Sequence, residues 1–554
     1  MAERPLKVLV VTGGGYHPFG TCGPILKETY EYGGLAKCTL VERDNAFRRN
    51  LSGYDVIAIY TQGGKLGSEE ENNLLSFVKN GGGLVGFHCA SDSFIENAGY
   101  LSLLGSKFVT HGPGTPNFPV EVSNKSHTLA GRLPKFNITD EFYILELKDK
   151  LLDIFLTSPW QGKPQPMAYT KTFGKGRVFY TAMGHDERAF RNTSFKIMAV
   201  RGLLHAAGRW QKEGKPVGVG LLGYGGAFNM GKSHGDTMHS IGGFKVLAAC
   251  DLEPNRLKQA ETEFPGIKTY NQLDRMLRDD RVEVVVVILP HNVHFESTLK
   301  ILESGRGAVV EKPFCIKPEE ADKLINTADR KKVLLTVYQS RRWDHHFLTA
   351  KKLVEAGMIS EVFETQIDFG NYAHPGTWWR SDKEISGGIL YDWGAHCLDW
   401  MLQVVKDKVV SVSGYIQKRV WQIVTNEDHF RVVLRFQNGA VANFCNSSIC
   451  ALANPVGWRI LGRQGAIHFP TVFDQEADLT TILDGKPVIT KVPAEPDDWP
   501  AFYRNLADHL HYGVPLACQP EDSARVIGII SKAEESAKAK KELPFNDKYY
   551  QTHF

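Results

Sequence analysis

Three short segments carry residue types able to move a proton and release a hydride. Ile288-Leu289-Pro290-His291-Asn292-Val293-His294 follows one strand-like run and Glu311-Lys312-Pro313 follows another. Gly387-Gly388-Ile389-Leu390-Tyr391-Asp392-Trp393-Gly394-Ala395-His396 opens a helical stretch. Asp392 and His396 are four residues apart, so a helix presents both on one face. A carboxylate there orients His396 and stabilises its charged form, giving a base that titrates near neutrality. Lys312 adds a cation that polarises a hydroxyl or steadies a developing alkoxide. Taken singly, each has a plainer reading: a satisfied helical His, a surface Asp–His pair, a solvated Lys at a strand end. Jointly they suit removal of an alcohol proton as hydride departs.

A site for the hydride acceptor stands upstream. Val217–Leu222 reads as a buried strand, and Gly223-Tyr224-Gly225-Gly226 places a G-x-G turn directly after it. The helix N-terminus that follows can hold a pyrophosphate on its free N–H groups. Phe228 stands where the third glycine of G-x-G-x-x-G falls. The next strand ends at Asp251, 23 residues beyond Phe228, where an acid can bind a ribose 2′-OH. Leu252 follows rather than a basic residue, which favours NAD, while Arg256 is close enough to keep NADP open. Gly223, Gly225, Gly226, Phe228, Asp251, Pro290, Asn292, His294, Glu311 and Lys312 are therefore assigned to the cofactor. The plainer alternative is a glycine turn in an α/β domain that binds no nucleotide.

The elements that must position these groups fall into two halves. Lys7–Val11, Tyr54–Tyr60, Gly83–Phe87 and Arg177–Thr181 read as buried parallel strands. Between them Ser68–Asn80 has a Ser cap, three Glu in its first turn and a Gly stop, the marks of an amphipathic helix. A closing helix is expected over 194–207. The polar stretch Arg209–Pro216 is the best linker, with a boundary near residue 213. In the second half, strands at 217–222, 245–250, 282–289, 308–310 and 333–337 alternate with helices, which predicts a doubly wound sheet. After about residue 345, strand-like runs at 360–370, 409–420, 428–436 and 440–450 lack alternating helices and predict a mainly antiparallel sheet. A last helix is expected over 520–540.

Residues 216–554 resemble the Gfo/Idh/MocA oxidoreductases through LLGYGG, Asp251, LPHNVH, EKP, QSRRWD and GGILYDWGAHCLD. The resemblance implies a Rossmann domain over 216–345 and an α+β substrate domain over 346–554. It also implies Lys312 as the catalytic lysine, Asp392 and His396 as catalytic or substrate-positioning residues, and a sugar or cyclitol as substrate. Some members cleave glycosides through a transient, recycled NAD-linked oxidation, so that chemistry is a second reading and a non-catalytic nucleotide or sugar sensor a third. Tyr372, Trp379 and Arg380, with His374 and Trp378 beside them, are candidates to line a sugar pocket or to form a Trp-rich core corner.

Residues 1–212 resemble the trehalose-utilisation (ThuA-like) family through VTGGGYHPF, YTQGGKLGSEE, GGGLVGFHCASDSF, DEFY and FGKGRVFYTAMGHDERAFRN. That implies a flavodoxin- or glutamine-amidotransferase-like α/β fold that processes sugars. His17, His88, Glu141 and His185 fall at expected strand ends and form a polar site, or a metal site if they converge. Spacing alone assigns no metal. Cys89 follows His88 where a nucleophile elbow would sit, but its surroundings are not G-x-C-x-G, and a buried structural thiol is expected.

Composition narrows the field. The chain has 554 residues, which at roughly 150 per domain suggests three or four domains. Sixty-five basic against 62 acidic residues leave +3, too balanced for nucleic acid. The longest apolar run, Val284–Leu289, spans no bilayer. The opening MAERPLKVLVV lacks a secretory pattern, and nine scattered Cys without a C-x-x-C pair read as reduced thiols, so a cytoplasmic protein is expected. A small carbohydrate is the expected partner, with homo-oligomerisation through the C-terminal sheet.

Overall fold

The computed structural model describes residues 4–210, 214–226, 228–452 and 456–550. The boundary near residue 213 lies outside the described residues. Two compact units form: one on the chain up to Gly214 with Asp508–Pro515, the other on Lys215–Ala507 with the chain from Leu516. The short return of 508–515 has a clear cause. Buried Asp508 accepts hydrogen bonds from Arg201 at 2.5 Å and Arg132 at 3.1 Å, and Tyr512 stacks on Trp210 at 3.9 Å.

The first unit is built on a nine-stranded sheet. Ala36–Glu42, Leu6–Gly13, Val56–Thr61, Gly83–Phe87 and Gly176–Thr181 lie side by side in that order, all parallel. Their near-continuous apolar sequences suit strands buried on both faces, and every residue of Val56–Thr61 is buried. Four antiparallel strands extend this edge, beginning with the hairpin Asp153–Trp160 and Lys163–Phe173. The helix Ser68–Lys79 is capped one residue earlier than expected. Gly67 is its N-cap, and the Glu70 carboxylate accepts the Gly67 N–H at 3.1 Å.

The second unit begins with six parallel strands. In space they run Lys268–Tyr270, Phe244–Cys250, Val217–Leu222, Val284–Val287, Gly307–Val310 and Leu335–Val337. In chain order this is 3-2-1-4-5-6, so the direction of winding reverses between Val217–Leu222 and Val284–Val287. A crevice opens at the carboxyl ends of strands at such a point. A second nine-stranded sheet follows, antiparallel except where Val362–Gly370 runs beside Val441–Ser447. Helices Ile389–Val404 and Pro520–Ala539 pack on each other and on this sheet. The approach is close at Gly414, where a Cβ would lie 2.0 Å from the Ala533 carbonyl oxygen. Among the described residues, no helix is long and apolar enough to cross a membrane.

Candidate functional site

The crevice leads into a cavity of about 1930 Å³ lined by residues from the parallel sheet and the larger sheet. The glycine turn forms one end. Gly223 has φ 87°, and a Cβ there would meet the Ile288 carbonyl oxygen at 2.2 Å. Gly225 has φ 126°, with the Arg256 guanidinium 2.4 Å from its would-be Cβ. Gly226 has φ 93° and open space beside it. Among the described residues no side chain caps the start of the helix Met230–Ile241, which leaves its first-turn N–H groups for a phosphate. Asp251 accepts the Tyr224 N–H at 2.7 Å on one oxygen and the Glu253 N–H at 2.9 Å on the other. The acid is thereby fixed beside the turn. Leu252 next to it is 84% exposed and offers no charge, whereas Arg256 brings a cation to the same corner.

Phe228 does not crowd this turn. Its ring points to the larger sheet's side of the cavity, 4.9 Å from the Arg380 guanidinium and 6.0 Å from Trp378. Pro290 and Asn292 line the cavity, as do Glu311 and Lys312. His294 lies behind it instead. Its ring nitrogens sit 2.8 Å from the Pro313 and Leu289 carbonyl oxygens, so it ties two loops together rather than facing a cofactor. Glu311 is held by His234 at 3.1 Å and by the Lys312 N–H at 3.1 Å.

At the reactive end, the Lys312 ammonium donates to Asp392 Oδ1 at 2.5 Å and to the Asp392 carbonyl at 3.2 Å. Asp392 Oδ1 also accepts from Arg380 at 2.7 Å. Burial alone would lift the Asp392 pKa, but the Lys312 and Arg380 charges reverse this and hold the carboxyl well below its usual range. His396 lies one turn along the same helix. Burial first, then the charges of Lys312 and Arg341, push its pKa well below 6.5 against the pull of Asp392. Among the described residues its Nδ1 has no hydrogen-bond partner. The expectation that Asp392 charges His396 is thus corrected. The two do share a helix face, but Asp392 is committed to two cations and His396 stays neutral.

Trp379 and Arg380 line the cavity, with His374 and Trp378. Tyr372 lies outside the lining, exposed and packed on Trp421 at 5.6 Å. Among the lining residues without an assigned role, His291 and Arg341 stand nearest the reactive groups in chemistry. His291 is buried, with Nδ1 2.7 Å from the Ser386 carbonyl and its ring edge-on to Trp379 at 4.9 Å. Burial lowers its pKa to about 3. Arg341 sits over the Trp393 ring at 5.5 Å and bonds Asp344 at 2.8 Å. Its signal was present in the QSRRWD stretch, whereas a strand residue such as Asn446, also in the lining, had none.

In the first unit, His17, His88, Glu141 and His185 do come together. His17 follows Leu6–Gly13, His88 closes Gly83–Phe87, Glu141 precedes Tyr143–Leu147 and His185 follows Gly176–Thr181. The His17 ring centroid is 5.1 Å from that of His88 and 4.9 Å from that of His185. Glu141 raises the His185 pKa, while burial lowers that of His17 to about 3. Cys89 is wholly buried, and burial pushes its thiol well above its usual pKa, as a structural cysteine requires.

Comparison with known proteins agrees with this division. Residues 7–206 match the trehalose-utilisation model. Residues 217–339 match the NAD-binding Rossmann model of the GFO/IDH/MocA oxidoreductases, and 347–468 match the C-terminal domain model of that group. The scyllo-inositol 2-dehydrogenase (NADP(+)) of Bacillus subtilis is 27% identical over 349 residues, covering 59% of this chain and 95% of that protein. An oxidoreductase structure from Bacillus subtilis aligns with TM-score 0.55 and 25% identity over 61% of this chain and all of the other. A levoglucosan dehydrogenase solved with NADH shares the fold at TM-score 0.53 and 18% identity, over 60% of this chain and all of the other. The chain thus carries a trehalose-utilisation domain followed by the NAD-binding Rossmann and C-terminal domains of the GFO/IDH/MocA oxidoreductases.

Proposed function

We propose that the second unit moves hydride between a secondary hydroxyl of a sugar or cyclitol and a nicotinamide dinucleotide. One observation carries this: the Lys312–Asp392 pair and neutral His396 face the same cavity that the Gly223–Gly226 turn opens. The turn fits a dinucleotide, since Gly226 leaves space a side chain would fill and Asp251 is fixed where a ribose diol would reach it. When bound, the dinucleotide supplies the hydride acceptor. The protein's own groups handle the proton. Neutral His396 has a lone pair for a substrate hydroxyl, and the Lys312 ammonium offers donors to an oxygen gaining negative charge. Trp378 and Trp379 offer apolar faces to a pyranose or cyclitol ring, and Arg380 bridges them to Asp392. Relatives bearing inositol and levoglucosan dehydrogenase names support this substrate class.

The test is a panel of sugars and cyclitols with NAD and NADP, followed by NADH absorbance and product mass. Free NADH or NADPH should accumulate with at least one polyol and fall to background in Lys312→Ala. Tight dinucleotide binding with no turnover across the panel would overturn the proposal in favour of a sensor. We include in the proposal a homo-oligomer through the larger sheet, where Phe363 and Tyr415 are exposed. Sedimentation of a single 61.9 kDa species would remove that part.

A further inference from the structure

We propose that the first unit holds a divalent first-row transition-metal ion, zinc in the first instance, on His17, His88, Glu141 and His185. Each residue offers one ligand atom, and all four atoms lie within 4.8 Å of one another. Zinc–nitrogen bonds of ~2.0–2.1 Å at tetrahedral angles set neighbouring donors ~3.4 Å apart. Glu141 Oε2 already lies 3.4 Å from His88 Nε2 and 3.2 Å from His185 Nδ1.

Outside the cluster the nitrogens have no partner among the described residues: both ring nitrogens of His17, Nε2 of His88 and Nδ1 of His185 are buried, and only the Glu141 carboxylate lies near the last two. His88 is wholly buried, and its other nitrogen, Nδ1, lies 2.7 Å from the Ala182 carbonyl oxygen. That contact places the proton on Nδ1 and turns the Nε2 lone pair toward the Glu141 carboxylate, the arrangement usual for a metal-bound imidazole. A lone pair facing a carboxylate is repulsive until a positive charge lies between them. Leaving several buried nitrogens unsatisfied is costly. One cation resolves both problems.

The surroundings hold the donors in place. Wholly buried Asp140 accepts the N–H groups of Gly184 at 2.7 Å, His185 at 2.8 Å and Glu141 at 3.0 Å, locking two donor-bearing segments together. Tyr143 stacks on the His88 ring at 3.6 Å. His88 itself has φ 40°, a left-handed conformation a non-glycine residue keeps only when its surroundings enforce it. A donor set of three imidazoles and one carboxylate suits zinc, iron, cobalt or nickel rather than magnesium or calcium.

The test uses the untagged 554-residue chain, stripped with a chelator that is then dialysed away. Zn²⁺ is titrated by calorimetry and Co²⁺ by visible absorption. One Zn²⁺ per chain is expected, with Co²⁺ ligand-field bands and no thiolate charge-transfer band. The double variant His17→Gln/His185→Gln should bind Zn²⁺ more than ~100-fold more weakly, beyond the ~10–100-fold cost of losing an outer-shell partner. Its NAD binding and melting temperature should match the metal-free wild type. Wild type without stoichiometric metal, or a double variant of unchanged affinity, overturns the proposal and leaves a proton-shared polar cluster or adventitious ions. Should the double variant melt early, the wild-type Co²⁺ spectrum decides: nitrogen–oxygen bands support the site, and thiolate bands or none refute it.

Discussion

Asp392 shows how far a residue's role depends on its company. With two cations on one oxygen it is an anion that fixes Lys312 and Arg380, and His396 is left to act as a neutral imidazole. The pH dependence follows in sign. His396 gains a proton only well below pH 6.5, so kcat/KM should stay flat through 6.5 and fall on the acid side only at clearly lower pH. An acid limb centred at 6.5 or above in a pH–rate profile would contradict that. Lys312→Ala should lower kcat by ~10²–10⁴-fold, the usual worth of a positioned proton-transfer group, with dinucleotide binding retained in fluorescence titration. At the other end, Asp251→Ala removes the ribose acceptor while leaving Arg256 in place. The KM for NAD should rise ~10–100-fold and that for NADP should change less, as steady-state kinetics with both cofactors will show.

At the level of elements, the glycine turn separates two kinds of constraint. Gly223→Ala drives a Cβ into the backbone oxygen of Ile288, which cannot swing away, whereas Gly226→Ala meets open space and pays only for its positive φ. Gly223→Ala should destabilise the second unit by about 2–4 kcal/mol and abolish NAD binding; Gly226→Ala should cost about 1 kcal/mol, both read from denaturant melts. Elements were legible where burial on two faces writes a continuous apolar run, as at Val284–Val287. They were not legible in Asn117–Val122 or Phe136–Thr139, whose mixed sequences NFPVEV and FNIT gain a strand's burial only from neighbours. The site followed the same division. Strand-end motifs brought Lys312 and Asp392 together, but the i,i+4 reading of Asp392 with His396 missed cations arriving from 80 and 12 residues away. His294 looked like a cofactor residue because it shares a loop with Asn292, yet its ring turns inward to two carbonyls. His17 to His185 spans 168 residues, so only the folded sheet reveals their convergence.

For the whole molecule, the most general consequence of this architecture is a stability that acid erodes early. His291, His346 and His396 are all buried in the second unit, and burial is the leading cause that lowers each pKa, to about 3 for His291 and His346. In the unfolded chain each returns to about 6.5 and takes up a proton below that pH. Between pH 7 and 5 the unfolded state therefore binds more protons than the folded one, and stability must fall as pH falls. Each such His forfeits about 2 kcal/mol by pH 5, while unfolded carboxylates are still largely ionised and contribute little. His346 isolates the effect. It lies among Trp400, Trp458, Phe469 and Phe473 and outside the cavity lining; among the described residues neither ring nitrogen makes a hydrogen bond, and Asp344 Oδ2 stands 4.0 Å from Nε2. His346→Phe places an apolar ring in an aromatic cage and removes one titrating group. Denaturant melts at pH 7 and pH 5 should show the variant losing about 2 kcal/mol less than wild type on acidification. Equal losses would mean that His346 is already satisfied or charged in the folded protein, and that its aromatic cage does not exclude the proton.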